Sequence, residues 1–190
     1  MSSDKSYRAI DVANYVIKIA KENSIDDITN LKLQKILYFL QTAFLIKNNK
    51  SLINENFERW DYGPVVPEAY HLFKQFGSSI IKNPVSEFET QINWSAPNPS
   101  DKFKIIEHEF KEENIDEADR KDIKSYFTNI NKMTAGELVD LTHSQTQWLK
   151  YKENGTISLH NAPKYTDDNI KDGASEDLEK YSIWETRSHE

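Results

Sequence analysis

Apolar residues recur at helical spacing in two stretches near the start of the chain. The first covers residues 7–22, where Ser6 is a suitable cap and an apolar stripe repeats every three to four positions. The second begins at Thr29 or Asn30 and runs to about Lys47. Its apolar face consists of Leu33, Ile36, Leu37, Leu40 and Phe44. We therefore expect an amphipathic helix followed by a central helix.

The hydrophobic period changes to two between Phe57 and Tyr62, which predicts a short strand that ends at the turn signal Gly63-Pro64. Pro67 suits the first turn of a following helix, and Gly77 suits its left-handed end. A second strand, with the polar interruptions of an edge strand, is predicted from the alternating residues Phe88, Thr90, Ile92 and Trp94.

Residues 102–130 favour two helices with a break near Asn114. The first is predicted from Phe103, Ile106 and Phe110, and the second from Ile123, Tyr126, Phe127 and Ile130. Thr134 and Glu137 have the spacing of a capping box, which predicts the start of another helix. The fold class is therefore mainly α (α+β), a compact helical domain at residues 7–152 with a small β-sheet or hairpin.

Composition and charge limit the function classes. The chain has 190 residues, enough for one domain, and its 12% aromatic content supplies a core although only 37% of residues are apolar. The net charge of −7 disfavours nucleic acid as a direct partner. The longest uncharged run, residues 36–46, is too short to span a bilayer, and cysteine is absent. We expect a cytoplasmic protein with no membrane partner.

The C-terminal extension, residues 153–190, is a distinct acidic segment. Its nine acidic and four basic residues carry −5 of the net charge. The low apolar content up to Ser175 predicts a segment that is mobile when free. A short helix is predicted at 175–185, where Leu178, Tyr181 and Trp184 recur at intervals of three. That row docks either on the domain's own core or on a partner.

No residue pattern indicates catalysis, a metal site or a cofactor. The five glycines are scattered, so no Gly-rich loop can surround a phosphate. The five histidines contain no pair at i, i+4, and paired acidic residues lie in hydrophilic runs typical of a solvated face. An enzyme would need a pocket that gathers His71 or His143 with a carboxylate. We therefore expect a non-enzymatic protein without metal or cofactor.

Two constellations remain as candidate partner-binding sites. One is the aromatic turn from Trp60 to Tyr70, whose rings are either core or partner contacts. The other is the stretch from Leu141 to Trp148, where His143 either caps carbonyls at the helix end or has a functional role. Together with the C-terminal row, they give as candidate residues Trp60, Tyr62, Pro64, Val65, Tyr70, His143, Trp148, Tyr181 and Trp184.

Three stretches, in order and spacing, resemble the Panacea domain, also called the SocA-like antitoxin domain. They are Ile28–Phe39 (ITNLKLQKILYF), Trp60–Glu68 (WDYGPVVPE), and Leu141-Thr142-His143 with Trp148. Residues 11–15 (DVANY) are similar to the family's first helix, so the resemblance covers about residues 7–152. Gln147 departs from the family pattern, which usually has proline before the tryptophan, and this departure concerns only the shape of the last turn.

The resemblance implies a bacterial or phage-encoded antitoxin that binds and neutralises a toxin encoded beside it. In one branch of the family the domain is similar to an adaptor that delivers the toxin to a Clp protease. The resemblance supplies no catalytic residues. The acidic charge independently favours a basic toxin, because complementary charge accelerates encounter. The rival classes are an enzyme with an unrecognised site and a DNA-binding repressor, which the net charge disfavours.

Overall fold

The computed structural model describes residues 5–153 and 162–185. Its α-helices are α1 (Ala9–Glu22), α2 (Asn30–Ala43), α3 (Pro67–Phe73), α4 (Glu117–Ile130), α5 (Ala135–Ser144), α6 (Thr146–Glu153), α7 (Asp167–Ser175) and α8 (Leu178–Tyr181). Within these residues, four strands form two antiparallel hairpins, a short one from β1 (Glu58–Trp60) and β2 (Gly63–Val65) and a long one from β3 (Glu87–Ile92) and β4 (Phe103–His108). The predicted class, mainly α with a small β component, is confirmed.

Helix α2 is the centre of the fold. Thr29 caps it, because its hydroxyl accepts the backbone N–H of Lys32 at 3.3 Å. All but one of its residues are buried, and it packs against α1, α3, α4, α5, α7 and β2. A π-helical turn over Phe44–Asn48 extends it to Asn49, whose φ of +51° ends the helix. The predicted central helix, its cap and its end near Lys47 are confirmed.

Helix α1 is confirmed, but its predicted cap is wrong. The residue at the N-cap position is Arg8, which makes no side-chain cap hydrogen bond, and Ser6 lies outside the helix. A distant carboxylate caps the helix instead, since Glu55 Oε2 accepts the backbone N–H of Ala9 at 2.8 Å. The first turn of α1 is therefore stabilised by tertiary structure.

In the second half of the chain, the predicted helix at residues 103–108 is wrong and the predicted start of α5 is confirmed. Residues 103–108 form strand β4 and not the predicted helix, because they pair with β3 in a register that places Phe103 opposite Ile92 and His108 opposite Glu87. Helix α5 begins with the predicted capping box. Thr134 Oγ1 accepts the backbone N–H of Glu137, and the Glu137 carboxylate accepts the backbone N–H of Thr134.

The described part of the C-terminal extension packs on the helical body. Helix α7 lies where a mobile segment was predicted, and a capping box from Thr166 and Asn169 begins it. Helix α8 lies within the predicted helix at 175–185, although it has only four residues. Ile170 and Trp184 belong to the buried core, with 1% and 2% of their surface exposed. The expected mobility of residues 155–175 is therefore wrong for α7, and residues 154–161 lie outside the described residues.

The N-terminal segment and the segment before α7 both attach to residues 52–59. Tyr7 donates its backbone N–H to the carbonyl of Leu52 and accepts the N–H of Asn54, each at 2.8 Å. In the segment before α7, Tyr165 donates its N–H to the carbonyl of Phe57 at 2.7 Å. The segment that leads into the short hairpin is therefore fixed from both sides.

Candidate partner-binding site

Residues of the three sequence motifs meet where α2, the short hairpin and α5 come together. Lys35 of α2 donates from Nζ to the carbonyl of Pro64 at 2.9 Å. Gln34 Oε1 accepts the backbone N–H of Val66 at 3.0 Å. Both side chains from α2 are almost completely buried, so the central helix fixes the second strand of the hairpin.

Gly63 allows α5 to pack directly against the short hairpin. Its φ of +91° lies in the region that favours glycine. A Cβ at this position would lie 2.5 Å from Thr142 Oγ1 and 3.1 Å from Lys35 Nζ. The second motif therefore needs glycine both for its backbone conformation and for its close contact with the third motif.

Lys35 is fully buried, and no carboxylate of the described residues forms an ion pair with it. Burial lowers its pKa to about 7, because the charged amine is poorly solvated there. In either protonation state the amine can donate a hydrogen bond to the carbonyl of Pro64.

His143 stacks on Trp148, with ring centroids 3.7 Å apart and planes inclined by 14°. The indole Nε1 of Trp148 donates to the carbonyl of Trp60 at 3.2 Å, which ties α6 to the short hairpin. Burial lowers the pKa of His143, and the nearby cations Lys35 and Lys152 lower it further. His143 is therefore a flat, stacked ring between the helices and the hairpin, in surroundings that disfavour its charged form.

Arg59 connects β1 to the C-terminal half of the chain. Its guanidinium lies between the rings of Tyr151 and Tyr165, 4.1 and 3.8 Å from their centroids. Its Nε donates to the carbonyl of Gln147 at 3.1 Å, and Nη1 donates to the carbonyl of Lys164. One buried cation therefore holds together the hairpin, α6 and the segment before α7.

The outer side of the short hairpin is an aromatic surface, which we call the turn surface and define by Trp60, Tyr62 and Tyr70. Tyr62 is 68% exposed, and the other two rings are partly exposed. Trp60 packs edge-on against Tyr70 with centroids 4.8 Å apart. The carboxylate of Glu58 accepts the indole N–H of Trp60 at 2.9 Å, and Asp61 is exposed beside it. Apolar rings and negative charge therefore lie side by side on this surface.

The remaining predicted site residues lie inside the fold: Pro64, Val65, Trp148, Tyr181 and Trp184. Tyr181 OH lies 3.0 Å from Ser144 Oγ, and Trp184 accepts a hydrogen bond from Asn129 at its backbone carbonyl. These five side chains have almost no surface to offer a partner in this structure. His143 is half-buried, so its exposure is intermediate between that of Tyr62 and that of these five residues.

Sequence reasoning missed the polar side chains that hold the hairpin, above all Arg59 and Lys35. The alternating pattern did place Arg59 on the same side of the strand as Phe57, which is buried. A charged residue that shares a face with a core residue was the available signal for a buried cation.

Within residues 5–153 and 162–185, no group of three or more His, Asp or Glu side chains is arranged to hold a metal ion. Over the same ranges, no helix combines the length and the apolar character that a membrane crossing requires. What the site presents to a partner is aromatic rings, carboxylates and a half-buried imidazole.

Comparisons with known proteins agree with the motif arrangement. The family model described as "Antitoxin SocA-like, Panacea domain" matches residues 33–149, which include all the contacts of α2, the short hairpin and α5 described above. A stretch of 72 residues is 42% identical to "Antitoxin SocA" of Caulobacter vibrioides (strain NA1000 / CB15N), and it spans 38% of this chain and 38% of that protein. No solved structure matches the chain. Because the family model covers more than half of its residues, the chain belongs to the antitoxin SocA-like, Panacea domain family.

Proposed function

We propose that this protein is a non-enzymatic antitoxin, which neutralises a toxin protein by binding it directly. Family membership supports the antitoxin role. The observation that carries the binding mechanism is the turn surface, where Tyr62 is 68% exposed although residues 63–66, which follow it in the family motif, are buried. Large aromatic side chains that protrude from a rigid support are typical of residues that dominate protein interfaces.

Buried contacts from α2, α5 and α6 hold the turn surface in place. Lys35 and Thr142 lie directly below the turn, and Trp148 holds the carbonyl of Trp60. A surface fixed in this way loses little conformational entropy when a partner binds, which favours affinity. The three motifs therefore serve to present the turn surface.

Charge supports a basic toxin as the partner. Glu58 and Asp61 border the exposed rings, and the whole chain carries −7. Carboxylates around an apolar centre attract Lys and Arg side chains to the rim of an interface and accelerate association.

The test is co-expression with the product of the adjoining reading frame, followed by co-purification. We expect Tyr62→Ala to weaken toxin binding by about thirtyfold or more, as for an interface hot spot, and to abolish growth rescue. Its thermal stability should change by no more than about 0.5 kcal/mol, because the side chain is largely exposed. Leu149→Ala, at an exposed apolar position on α6, is the control and should neutralise normally.

Three results would contradict this proposal or its assignment of Tyr62. Growth rescue without a detectable complex, with the toxin intact and at an unchanged level, would point to an enzymatic mechanism. A fall in toxin level that requires a Clp protease would show that the protein acts as an adaptor. A Tyr62→Ala protein that is folded and neutralises fully would exclude Tyr62 from the interface.

A further inference from the structure

The long hairpin has one apolar face that no part of the described chain covers. The register pairs Phe88 with Glu107 and Ile92 with Phe103, so these residues share a face with Ile105. The large apolar residues of this hairpin are strongly exposed: Phe88 67%, Ile92 45%, Phe103 59%, Ile105 70% and, just beyond β3, Trp94 76%. The opposite face carries Glu89, Gln91 and Lys104.

The exposed apolar area of this face is as large as that of many binding sites. Each aromatic ring can bury about 150–250 Å², so the exposed portions of these side chains together present on the order of 500 Å². Apolar patches of about 300–600 Å² are the largest that monomeric proteins carry, and they are often functional. A two-stranded hairpin is also only marginally stable without cover.

The root of the hairpin is fixed to α1. Asn14 is buried, donates from Nδ2 to the carbonyl of Val85 at 2.9 Å and accepts the N–H of Val85 at 2.8 Å. Arg8 forms an ion pair with Glu87 at the start of β3. The hairpin therefore projects from the body in a defined direction.

A groove of about 780 Å³ separates the hairpin from the segment around α3. Its walls carry apolar side chains from both sides, namely Leu72, Phe76 and Ile80 from the body and Phe88 from the hairpin. Glu107 lines the same groove, and no basic side chain of the described residues, including Lys82 on the opposite wall, forms an ion pair with it. The groove therefore combines apolar walls with an available carboxylate.

We propose that the long hairpin docks a positively charged amphipathic segment of a partner protein. The apolar side of that segment would cover the hairpin face, and its Lys or Arg side chains would reach Glu107. Residues 87–110 contain five acidic and two basic residues, which makes the hairpin itself acidic. A second copy of this chain is disfavoured as the occupant, because two molecules of net charge −7 repel each other.

If the partner is the toxin, this docking site rests on the proposed function and adds a second contact to the turn surface. The two surfaces come from different hairpins, so variants in one leave the other intact. Contact at two sites would strengthen binding beyond the affinity of either alone.

The experiment titrates the full-length protein with a peptide of about four Leu-Lys repeats, which is long enough to span the six residues of β3. Isothermal titration calorimetry should show that this peptide binds at least about tenfold more tightly than a Leu-Glu peptide of equal length. Phe88→Ser/Ile105→Ser should weaken binding by about tenfold or more, whereas Leu149→Ser, the control at an exposed apolar position on α6, should not.

A second pair of variants tests the charge. Glu107→Gln should weaken binding of the Leu-Lys peptide and reduce its salt dependence, while Glu117→Gln, at an exposed position on α4, should change neither. Circular dichroism confirms that each variant is folded.

Three outcomes would overturn the proposal. The first is unchanged peptide affinity in Phe88→Ser/Ile105→Ser. The second is equal affinity for the Leu-Glu peptide. The third is a dimer in sedimentation that this double variant dissociates, since a second copy would then cover the face. The titration needs no toxin, so its failure leaves the antitoxin proposal standing, and a failed neutralisation assay leaves the docking site standing.

Discussion

Replacement of Gly63 by alanine tests how closely the second and third family motifs pack. The added Cβ would lie 2.5 Å from Thr142 Oγ1 and 3.1 Å from Lys35 Nζ. Neither atom is free to move away, because Thr142 Oγ1 donates to the carbonyl of Val139 at 2.8 Å and Lys35 Nζ donates to Pro64. The backbone φ of +91° adds a second obstacle to any side chain.

Two costs combine in Gly63→Ala. An L-residue in a left-handed conformation costs about 1–2 kcal/mol. An extra methyl group in a well-packed site costs about 1–3 kcal/mol. We therefore expect the free energy of unfolding to fall by about 2–5 kcal/mol, a large share of the roughly 5–15 kcal/mol that a domain has.

The assay is urea denaturation followed by tryptophan fluorescence, and two other glycines provide matched controls. Gly77 has a φ of +54°, but no heavy atom lies within 4 Å of the position that an alanine Cβ would occupy there. Gly77→Ala should therefore cost only the conformational part, about 1–3 kcal/mol. Gly136 lies in α5, where a Cβ would also meet no atom within 4 Å, so Gly136→Ala should stabilise the fold by about 0.5 kcal/mol.

A double-mutant cycle isolates the clash. In a Thr142→Ala background the atom closest to the new methyl group is gone, so Gly63→Ala should cost about 1–2 kcal/mol less there. The packing argument is refuted if Gly63→Ala costs no more than Gly77→Ala, or if its cost is the same in both backgrounds.

The remaining predictions concern the buried cations and the C-terminal extension. Between pH 7 and 10 the unfolded chain holds the proton of Lys35 while the folded chain releases it, so the free energy of unfolding should rise with pH in this window. Lys35→Met should flatten that rise, as measured by urea titrations at several pH values. If the free energy of unfolding of the variant rises with pH as steeply as that of the wild type, Lys35 is not the group responsible. Arg59→Lys should lower the free energy of unfolding by about 2–4 kcal/mol, because lysine cannot match the stacked guanidinium and its bonds to two carbonyls; Lys164→Arg is an exposed control expected to be neutral. Truncation after Gly155 removes the core residues Tyr165, Ile170 and Trp184, so the melting temperature should fall by about 10–20 °C, and an unchanged value would show that the extension contributes nothing to the fold.

Local sequence signals predicted the elements whose ends depend on neighbouring residues. Thr29 and Thr134 cap helices through side chains that contact the next turn, so spacing alone reveals them. Ser6 misled for the opposite reason, because Glu55 supplies the acceptor for the first turn of α1 from 46 residues away. A long-range cap leaves no local trace in the sequence.

The hydrophobic pattern also fails where one spacing fits two structures. Phe103 and Ile106 are three positions apart, as in a helix, but Phe103 and Ile105 also alternate as in a strand, and pairing with β3 decides the outcome. Helix α7 has few apolar residues, and its stability comes from burial of Ile170 against the core. Composition alone could not show that this contact would form.

For the candidate site, the motifs identified segments that meet in the fold, but not the direction of each side chain. Tyr62 and Val65 lie three positions apart in the same turn, yet one is 68% exposed and the other 4%. The difference depends on Gly63, whose left-handed backbone reverses the chain between them. Burial within a tight turn is therefore set by packing against α2 and α5, which the linear sequence does not display.

The attachment of Tyr7 and of residues 163–165 to residues 52–59 sets an order for folding during synthesis. The hydrogen bond between Tyr7 and Leu52 cannot form until Leu52 has been synthesised. The hydrogen bond from Arg59 to the carbonyl of Lys164 cannot form until the ribosome has added Lys164, 105 residues later. Contacts so distant in sequence close large loops and form late. Until the C-terminal extension has emerged, Arg59 lacks one of its two stacking rings, and β1 lacks the neighbour that covers its backbone. A nascent or shortened chain would therefore present the family motifs on an incompletely supported hairpin, and only a completed chain would present a finished turn surface.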